Sequence, residues 1–350
     1  MKNSSEPLKK TINRKNKRLL IDLMGLFARR RKRVSHFEGP LGSVLILAQE
    51  KLGDCLLLTP LLRQLRDRYP DLVIHVACFS ATSSDFFRQE PVVNQVFRVK
   101  TDLWGFFRHG RRFSYDLLFN TKDHPSFNFM LQSLLVKARI KVGIAHPNHQ
   151  RYFDYEIGGD FYRHMLSKYL DFLQFLGHSL QPADLKPALP PVPVSPAVQT
   201  FASQLPASTV ILNLSAGSPD REWTESQWGA LICRLNSPLV LLAVGEQMAV
   251  RSRLEKRFSQ ILPCPDTKSL QEAAAILEKG RLLVSPDTSM IHLAAGAGIP
   301  VVGLYQKGDL HLARFSPWQV TCRIVQSSTL RVADIDPDLV WQAVKELCPD

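Results

Sequence analysis

Paired cysteines, metal-ligand patterns and a dinucleotide-binding glycine motif are all missing from this chain of 350 residues. Its six cysteines are scattered without a CxxC pair, which argues against a disulfide framework and against a zinc site. No GxGxxG motif follows either strand that opens a predicted α/β segment, so a dinucleotide-dependent oxidoreductase is disfavoured. We therefore expect a protein of a reducing, cytoplasmic compartment that uses no metal ion and no organic cofactor.

Acidic residues are scarce near the N-terminus. Residues 1–33 contain twelve Lys or Arg against only Glu6 and Asp22, which leaves a net charge of +10. The whole chain carries +12, so the remaining residues are nearly neutral. Because the excess charge belongs to this arm alone, the globular body gives no sign of nucleic-acid binding, and we expect no nucleic-acid partner.

An apolar stretch, residues 19–28, lies inside this basic arm. Ten residues are too few to span a bilayer as a helix, and no small-residue cleavage site follows, which disfavours a secretory signal peptide. An apolar helix with basic flanks is typical of segments that lie on an anionic membrane surface, where each basic residue contributes about 1 kcal/mol. We expect residues 15–33 to dock on a membrane; a disordered solubilising tail and a nucleic-acid arm are the alternatives.

Alternating strand and helix patterns predict an α/β fold with parallel sheets, in two domains. A segment with seven prolines, residues 181–206, separates two series of such patterns and predicts an extended linker. The predicted strands are 44–48, 72–78, 96–99 and 115–120, then 210–214, 239–244, 281–284 and 301–304; the predicted helices include 54–69, 161–176, 225–235 and 248–258. The predicted organisation is a basic amphipathic arm (1–40), an N-terminal domain (41–180), a linker (181–208) and a C-terminal domain (209–350).

The turn from Ser285 to His292 is the most informative part of the sequence. Pro286 ends a predicted buried strand, and Asp287, Thr288 and Ser289 supply the N-cap chemistry of a helix that runs to Ala297. Backbone N–H groups, two hydroxyls and the imidazole of His292 are expected to converge on an oxygen-rich anionic ligand at this helix start. The alternative is an ordinary capped helix in which His292 belongs to the core.

Two other loops follow predicted strands. Lys51, Gly53 and Asp54 lie where the first domain passes from strand to helix, and Asp54 is a candidate N-cap or general base. In the second domain, small residues precede Arg221, whose planar guanidinium can clamp a phosphate. The small residues are Ser215, Ala216 and Gly217, and Glu246 at the end of the next strand is a candidate acceptor of ribose or base hydrogen bonds. Solvent-exposed loops are the alternative for both Arg221 and Glu246.

Four blocks in the same order resemble glycosyltransferase family 9, the heptosyltransferases. They are residues 45–54 with Thr59-Pro60, residues 138–144, residues 213–223, and residues 285–289 with His292. The resemblance extends from about residue 43 to 305, and four ordered blocks are far more specific than any one alone.

This resemblance implies a GT-B architecture, with two Rossmann-like domains facing a cleft. It implies inverting, metal-independent transfer of a heptose from an ADP-sugar to the lipid-linked inner core of lipopolysaccharide, at the cytoplasmic face of the inner membrane. By the same resemblance Asp54 is the general base, Lys51 and Gly53 lie on the acceptor side, and Arg221 contacts the donor phosphates. The remaining residues expected to bind the donor are Ser215, Ala216, Gly217, Glu246, Asp287, Thr288, Ser289 and His292.

The chain departs from the family pattern at Ala48, Ser215 and Asn120, where relatives often carry a basic residue, Gly and Asp. These departures bear mostly on the acceptor side. Transfer of another envelope sugar is one alternative, and a non-catalytic protein that binds a sugar nucleotide or nucleic acid is another.

Overall fold

The fold is described from a computed structural model, for residues 19–26, 28, 33–102, 105–106, 108 and 112–348. The chain divides into two compact units, Met1–Leu185 and Lys186–Asp350. Each unit contains a parallel β-sheet with helices between its strands, which confirms the predicted α/β class.

The sheet of the first unit has the strand order β3-β2-β1-β4-β5-β6, and its neighbouring strands are parallel. Since β1 lies between β2 and β4, the order reverses between β1 and β4, and the loops at such a point form the usual ligand site of an open sheet. The strands are β1 (Ser43–Ala48), β2 (Val73–Cys78), β3 (Gln95–Arg98), β4 (Tyr115–Asn120), β5 (Ala138–Ile144) and β6 (Tyr155–Ile157). The main helices are α1 (Leu52–Arg68), α2 (Ala81–Arg88), α3 (Phe127–Leu135) and α4 (Met165–Phe175).

The sheet of the second unit has the order β11-β10-β9-β7-β8 and is also parallel. Its order reverses between β7 and β9, so the loops after these two strands meet. The strands are β7 (Val210–Asn213), β8 (Leu239–Leu242), β9 (Leu282–Pro286), β10 (Val301–Tyr305) and β11 (Cys322–Gln326). The helices are α5 (Pro196–Ser203), α6 (Glu225–Ile232), α7 (Gln247–Arg257), α8 (Leu270–Leu277), α9 (Ser289–Ala297), α10 (Asp309–Phe315) and α11 (Pro337–Leu347).

Helix α1 tolerates a proline in its interior. Pro60 has no N–H, so the carbonyl of Leu56, four residues earlier, loses its usual backbone partner. The Thr59 hydroxyl donates to that carbonyl at 2.8 Å and replaces the lost bond. The Thr-Pro pair therefore leaves α1 continuous over 17 residues.

Two predicted segments differ from the structure. The helix predicted at 161–176 begins only at Met165, because His164 caps it: its Nδ1 accepts a hydrogen bond from the Leu166 amide at 3.1 Å. The proline-rich segment is not extended throughout, since α5 forms inside it with Pro196 in the first turn, where a proline costs no hydrogen bond. Val198 and Ala202 of α5 are buried, so this helix packs as part of the second unit.

Residues 19–26 are helical and pack against the first unit. Ile21 is fully buried, its carbonyl accepts a hydrogen bond from the Tyr152 hydroxyl, and Asn148 Nδ2 donates to Asp22 Oδ1 at 2.7 Å. Four leucines of the same segment are 46–62% exposed: Leu19, Leu20, Leu23 and Leu26. The rest of the predicted membrane segment, residues 15–18, 27 and 29–32, lies outside the described residues. Over the described ranges, no helix has the length and apolar character needed to cross a bilayer.

Candidate functional site

Asn213, the last residue of β7, joins the loops at the switch point of the second sheet. Its side-chain amide nitrogen lies 2.9 Å from Ser285 Oγ, 3.2 Å from Thr288 Oγ1 and 3.2 Å from the Ser215 carbonyl oxygen. Asn213 is 5% exposed and Ser285 is fully buried, so these polar groups need the partners that they have. The amide thus holds the loop after β7 against the turn after β9.

Thr288 starts α9, as the sequence predicts. Its backbone is extended, and its hydroxyl accepts a hydrogen bond from the Met290 amide at 3.3 Å. The nine-residue helix ends at Gly298, which has a φ of 74°. Ser289 occupies the first helical position, so the positive end of the helix dipole lies beside the Asn213 network.

An ion pair joins the two charged residues predicted to bind the donor. Arg221 Nη1 lies 3.0 Å from Asp287 Oδ2 and 3.4 Å from the Asp287 carbonyl oxygen, and both side chains are largely buried. Burial raises the pKa of the Tyr305 hydroxyl, and the nearby Asp287 carboxylate raises it further. Both of these contacts with Asp287 are made by Nη1 of the guanidinium.

The loop after β7 is fixed to the end of β8. The Val244 amide donates to Ser215 Oγ at 2.8 Å, and the same hydroxyl donates to the Val244 carbonyl at 3.3 Å. A Cβ placed on Gly217 would have no heavy atom within 4 Å, so there is open space beside this residue. Glu246 is exposed at the start of α7, two residues after Val244. Ala216 is half-buried in the same loop.

His292 lies inside the second unit. It is 4% exposed on α9, with Ile291 and Leu293 beside it also buried. This position favours the core-histidine alternative over direct contact between His292 and a ligand.

The loop that carries Asp54 differs from the prediction in one respect. Helix α1 begins at Leu52, and Lys51 is the N-cap residue, with no side-chain capping bond. Asp54 therefore lies in the first turn of the helix and is not its N-cap residue. Asp54 is half-buried, Lys51 is exposed, and Gly53 is half-buried between them.

Side chains at the ends of β1 and β4 meet near this loop. Gln49 Nε2 donates to the Thr121 carbonyl at 3.0 Å, and Lys122 Nζ lies 3.4 Å from Glu50 Oε2. Burial raises the pKa of the Cys55 thiol, and the neighbouring Cys78 and Asp54 add to that rise. Cys55 therefore stays a neutral thiol beside the carboxylate.

Asn120 is the residue at which the resemblance to family 9 predicts an Asp. Its amide donates to Ser133 Oγ at 2.9 Å and its carbonyl oxygen accepts from the Lys122 amide at 2.9 Å. An Asp could accept the second bond but could not donate the first. Asn in place of Asp is therefore consistent with a structural role, in which the side chain links Ser133 and Lys122.

Two residues of the second-unit network are absent from the predicted site: Asn213 and Ser285. A signal was available, because both lie at the ends of strands predicted to be buried, where a polar side chain needs a nearby partner. Their pairing across the sheet depends on the strand order, which the sequence alone does not fix. Over the described part of the chain, no three His, Cys, Asp or Glu side chains are grouped so that they could hold a metal ion.

The family model described as glycosyltransferase family 9 (heptosyltransferase) matches residues 105–336, more than half of the chain. No curated protein sequence matches the chain significantly. The match contains the whole Asn213 network and the Arg221–Asp287 ion pair, and it begins after Asp54.

Among the solved structures that share this fold are three that cover most of the chain. A glycosyl transferase family 9 protein from Veillonella parvula is 17% identical, with 89% of this chain and 99% of that chain covered and a TM-score of 0.69. Escherichia coli heptosyltransferase WaaC with ADP is 19% identical, with 87% of this chain and 97% of that chain covered and a TM-score of 0.65. E. coli ADP-heptose lipopolysaccharide heptosyltransferase II is 18% identical, with 87% and 98% covered and a TM-score of 0.60. At these identities the likeness shows the fold, two parallel-sheet α/β domains of the GT-B type.

Proposed function

Because this chain belongs to glycosyltransferase family 9, we propose that it transfers a heptose from an ADP-sugar to the inner core of lipopolysaccharide, with inversion and without a metal ion. The observation that carries the proposal is the Asn213 network with its adjoining Arg221–Asp287 ion pair, at the switch point of the family-matched sheet. Structures of E. coli WaaC contain ADP and an ADP-heptose analogue. A site that offers a guanidinium and hydroxyl groups is consistent with binding such a nucleotide sugar here.

Arg221 is proposed to hold the donor diphosphate. Asp287 pairs with Nη1 and orients the guanidinium, and we propose that Nε and Nη2 donate to phosphate oxygens. The amides of residues 215–217 and the start of α9 add further donors and a favourable dipole, which stabilise the charge on the departing ADP. Glu246 and the carboxylate of Asp287 are acceptors for sugar hydroxyls. Thr288 and Ser289 form the turn that begins α9, and the buried His292 of α9 packs behind this turn.

Asp54 is proposed as the general base. As the acceptor hydroxyl attacks the anomeric carbon, its proton passes to the Asp54 carboxylate while the bond to the diphosphate breaks. The new glycosidic bond forms on the face opposite to the leaving group, so the configuration inverts. Lys51 and Gly53 flank this position on the acceptor side, where Gly53 keeps the first turn of α1 open to close approach.

Residues 15–33 are proposed to dock the protein on the cytoplasmic face of the inner membrane. The helical residues 19–26 have one face fixed to the first unit through Ile21 and an opposite face that exposes four leucines. Apolar side chains on one face and basic residues on both sides are the features of a helix that lies on an anionic lipid surface. A lipid-linked acceptor gives such docking a purpose, since it is confined to that surface.

A substitution of outward leucines tests this docking without removing the buried Ile21. We expect Leu23→Gln/Leu26→Gln to reduce cosedimentation with phosphatidylglycerol vesicles by roughly tenfold or more. Leu330→Gln/Leu339→Gln is the matched control, because these leucines of the second unit are also exposed, at 70% and 51%. Undiminished sedimentation of the arm variant would refute membrane docking through these leucines.

The transfer itself is tested by product analysis. A strain that lacks this protein is expected to make lipopolysaccharide whose core is shorter by a heptose, as measured by mass spectrometry. The purified protein, given ADP-heptose and the truncated core, should restore that residue. Binding of ADP-heptose without transfer to any core acceptor would favour the non-catalytic alternative.

A further inference from the structure

An open cavity of about 640 Å³ lies beside β3, one of the two edge strands of the sheet in the first unit. Four arginines line it: Arg88, Arg98, Arg108 and Arg112. Asp102 is the one acidic residue among the described lining residues, so four positive charges face a single negative one.

The arginines reach the cavity from separate parts of the chain. Arg88 ends α2, Arg98 ends β3, and Arg108 and Arg112 belong to the segment that follows. Charged residues on an edge strand can serve simply to prevent pairing with another sheet. That purpose requires neither a cavity nor arginines contributed by the preceding helix and the following segment.

The positive charge of the cavity is poorly neutralised by the protein. Arg88 pairs with the exposed Asp85 at 3.3 Å, but no described carboxylate lies within ion-pair distance of Arg98, Arg108 or Arg112. The Asp102 carboxylate accepts a hydrogen bond from the Gly105 amide at 2.9 Å and so is engaged with the backbone. Like charges that share a cavity repel one another, and a bound anion relieves that repulsion.

We propose that this cavity binds phosphate groups. The planar guanidinium presents parallel N–H donors that match two phosphate oxygens, and every cation among the described lining residues is an arginine. The volume is in the range of small-molecule sites, about 300–1,000 Å³, so it admits a diphosphate or a phosphorylated sugar. The cavity is distinct from the proposed base, because Asp54 follows β1, two strands away from β3 in the same sheet.

The phosphate can belong to a soluble saccharide or to a lipid headgroup. Phe97 on β3 and Phe106 lie in the same buried cluster as Ile21, so one core supports both the cavity and the helix with the exposed leucines. This shared support is the reason to test lipid as well as soluble phosphate.

The first arm of the test is calorimetric titration with inorganic pyrophosphate, in saturating ADP so that the nucleotide site is occupied. We expect Arg98→Gln/Arg112→Gln to weaken pyrophosphate binding at least tenfold, whereas Lys256→Gln/Lys279→Gln should change it less than twofold. The control removes the same charge from two exposed lysines of the second unit. Unchanged ADP affinity in both variants shows that they are folded.

The second arm measures binding to phosphatidylglycerol vesicles for the same proteins. Loss of pyrophosphate binding assigns the site to soluble phosphate-bearing ligands, whereas loss of vesicle binding alone assigns it to lipid headgroups. If Arg98→Gln/Arg112→Gln equals the wild type in both arms, the proposal is wrong. That result would leave the transfer assay untouched, so the two proposals fail separately.

Discussion

The two units hold their proposed functional residues in different ways. In the second unit, Asn213, Ser285 and Thr288 form hydrogen bonds between two loops, and an ion pair adds Arg221 from a third position. In the first unit, Asp54 lies on the opening turn of α1, after an N-cap residue that makes no side-chain capping bond.

This difference follows from the chemical role proposed for each unit. A diphosphate needs several hydrogen-bond donors in fixed positions, so the loops that bind it must be linked by hydrogen bonds. A general base needs only one carboxylate at a defined place. The family match covers residues 105–336, which include the linked loops of the second unit but not Asp54. A substitution of Asp54 is therefore the most severe test of the proposed reaction, and substitutions in the second unit test how the donor is bound.

Substitution of Asp54, the proposed base, is the change with the largest expected effect. We expect Asp54→Asn to lower the turnover number for heptose transfer by roughly 10²–10⁴-fold, because the amide cannot take the proton. The matched control is Asp67→Asn, an exposed carboxylate on the same helix, which should keep normal turnover. Near-normal transfer by Asp54→Asn would remove this residue from the role of base.

Loss of the Asn213 amide tests whether its hydrogen bonds hold the loop after β7 and the turn after β9 together. Asn213→Ala leaves Ser285 and Thr288 without a shared donor, and we expect it to lower the free energy of unfolding by about 1–3 kcal/mol. Urea unfolding checks this, with the exposed Asn236→Ala as the control. A variant as stable as the wild type would mean that the loops hold together without this amide.

Acid is expected to act on the first unit through His149. Burial lowers the pKa of this histidine to about 4, with its Nδ1 placed to donate to the Ile144 carbonyl, so the folded state keeps it neutral. The unfolded chain, with an ordinary histidine pKa of about 6.5, binds the proton first, so stability falls as the pH drops from about 6.5 towards 4. At pH 5 this histidine alone lowers the unfolding free energy by about 2 kcal/mol relative to pH 7, and His149→Gln should remove that part of the pH dependence. An unchanged pH dependence in His149→Gln would contradict this assignment.

The smallest expected effect concerns the contact between α9 and the proline-rich segment. A Cβ on Gly296 would lie 1.9 Å from the Pro187 carbonyl oxygen, a backbone atom that cannot easily move. We expect Gly296→Ala to destabilise the protein by about 1 kcal/mol, because this clash outweighs the gain in helix propensity. Gly159→Ala, where a Cβ meets nothing within 4 Å, should have little effect on the thermal midpoint. A more stable Gly296→Ala would show that Pro187 is not held against α9.

Local sequence patterns predict most of the elements that surround the site. The strand that ends at Pro286 and the Thr288 cap both follow from short-range rules and are confirmed. The start of α1 is missed by two residues, because Asp54 is a good cap residue but the backbone at Lys51 takes that place. The Asn213–Ser285 pairing and the Arg221–Asp287 ion pair join residues 72 and 66 positions apart, and only the strand order brings them together.

The division of labour between the units is tested most directly by calorimetric titration of ADP into the wild type, Asp54→Asn and Arg221→Ala. We expect Asp54→Asn to bind ADP as the wild type does, and Arg221→Ala to bind it roughly tenfold or more weakly, because the proposed phosphate donors are lost. Equal affinity of Arg221→Ala and the wild type, or a comparable loss in Asp54→Asn, would contradict this division of labour.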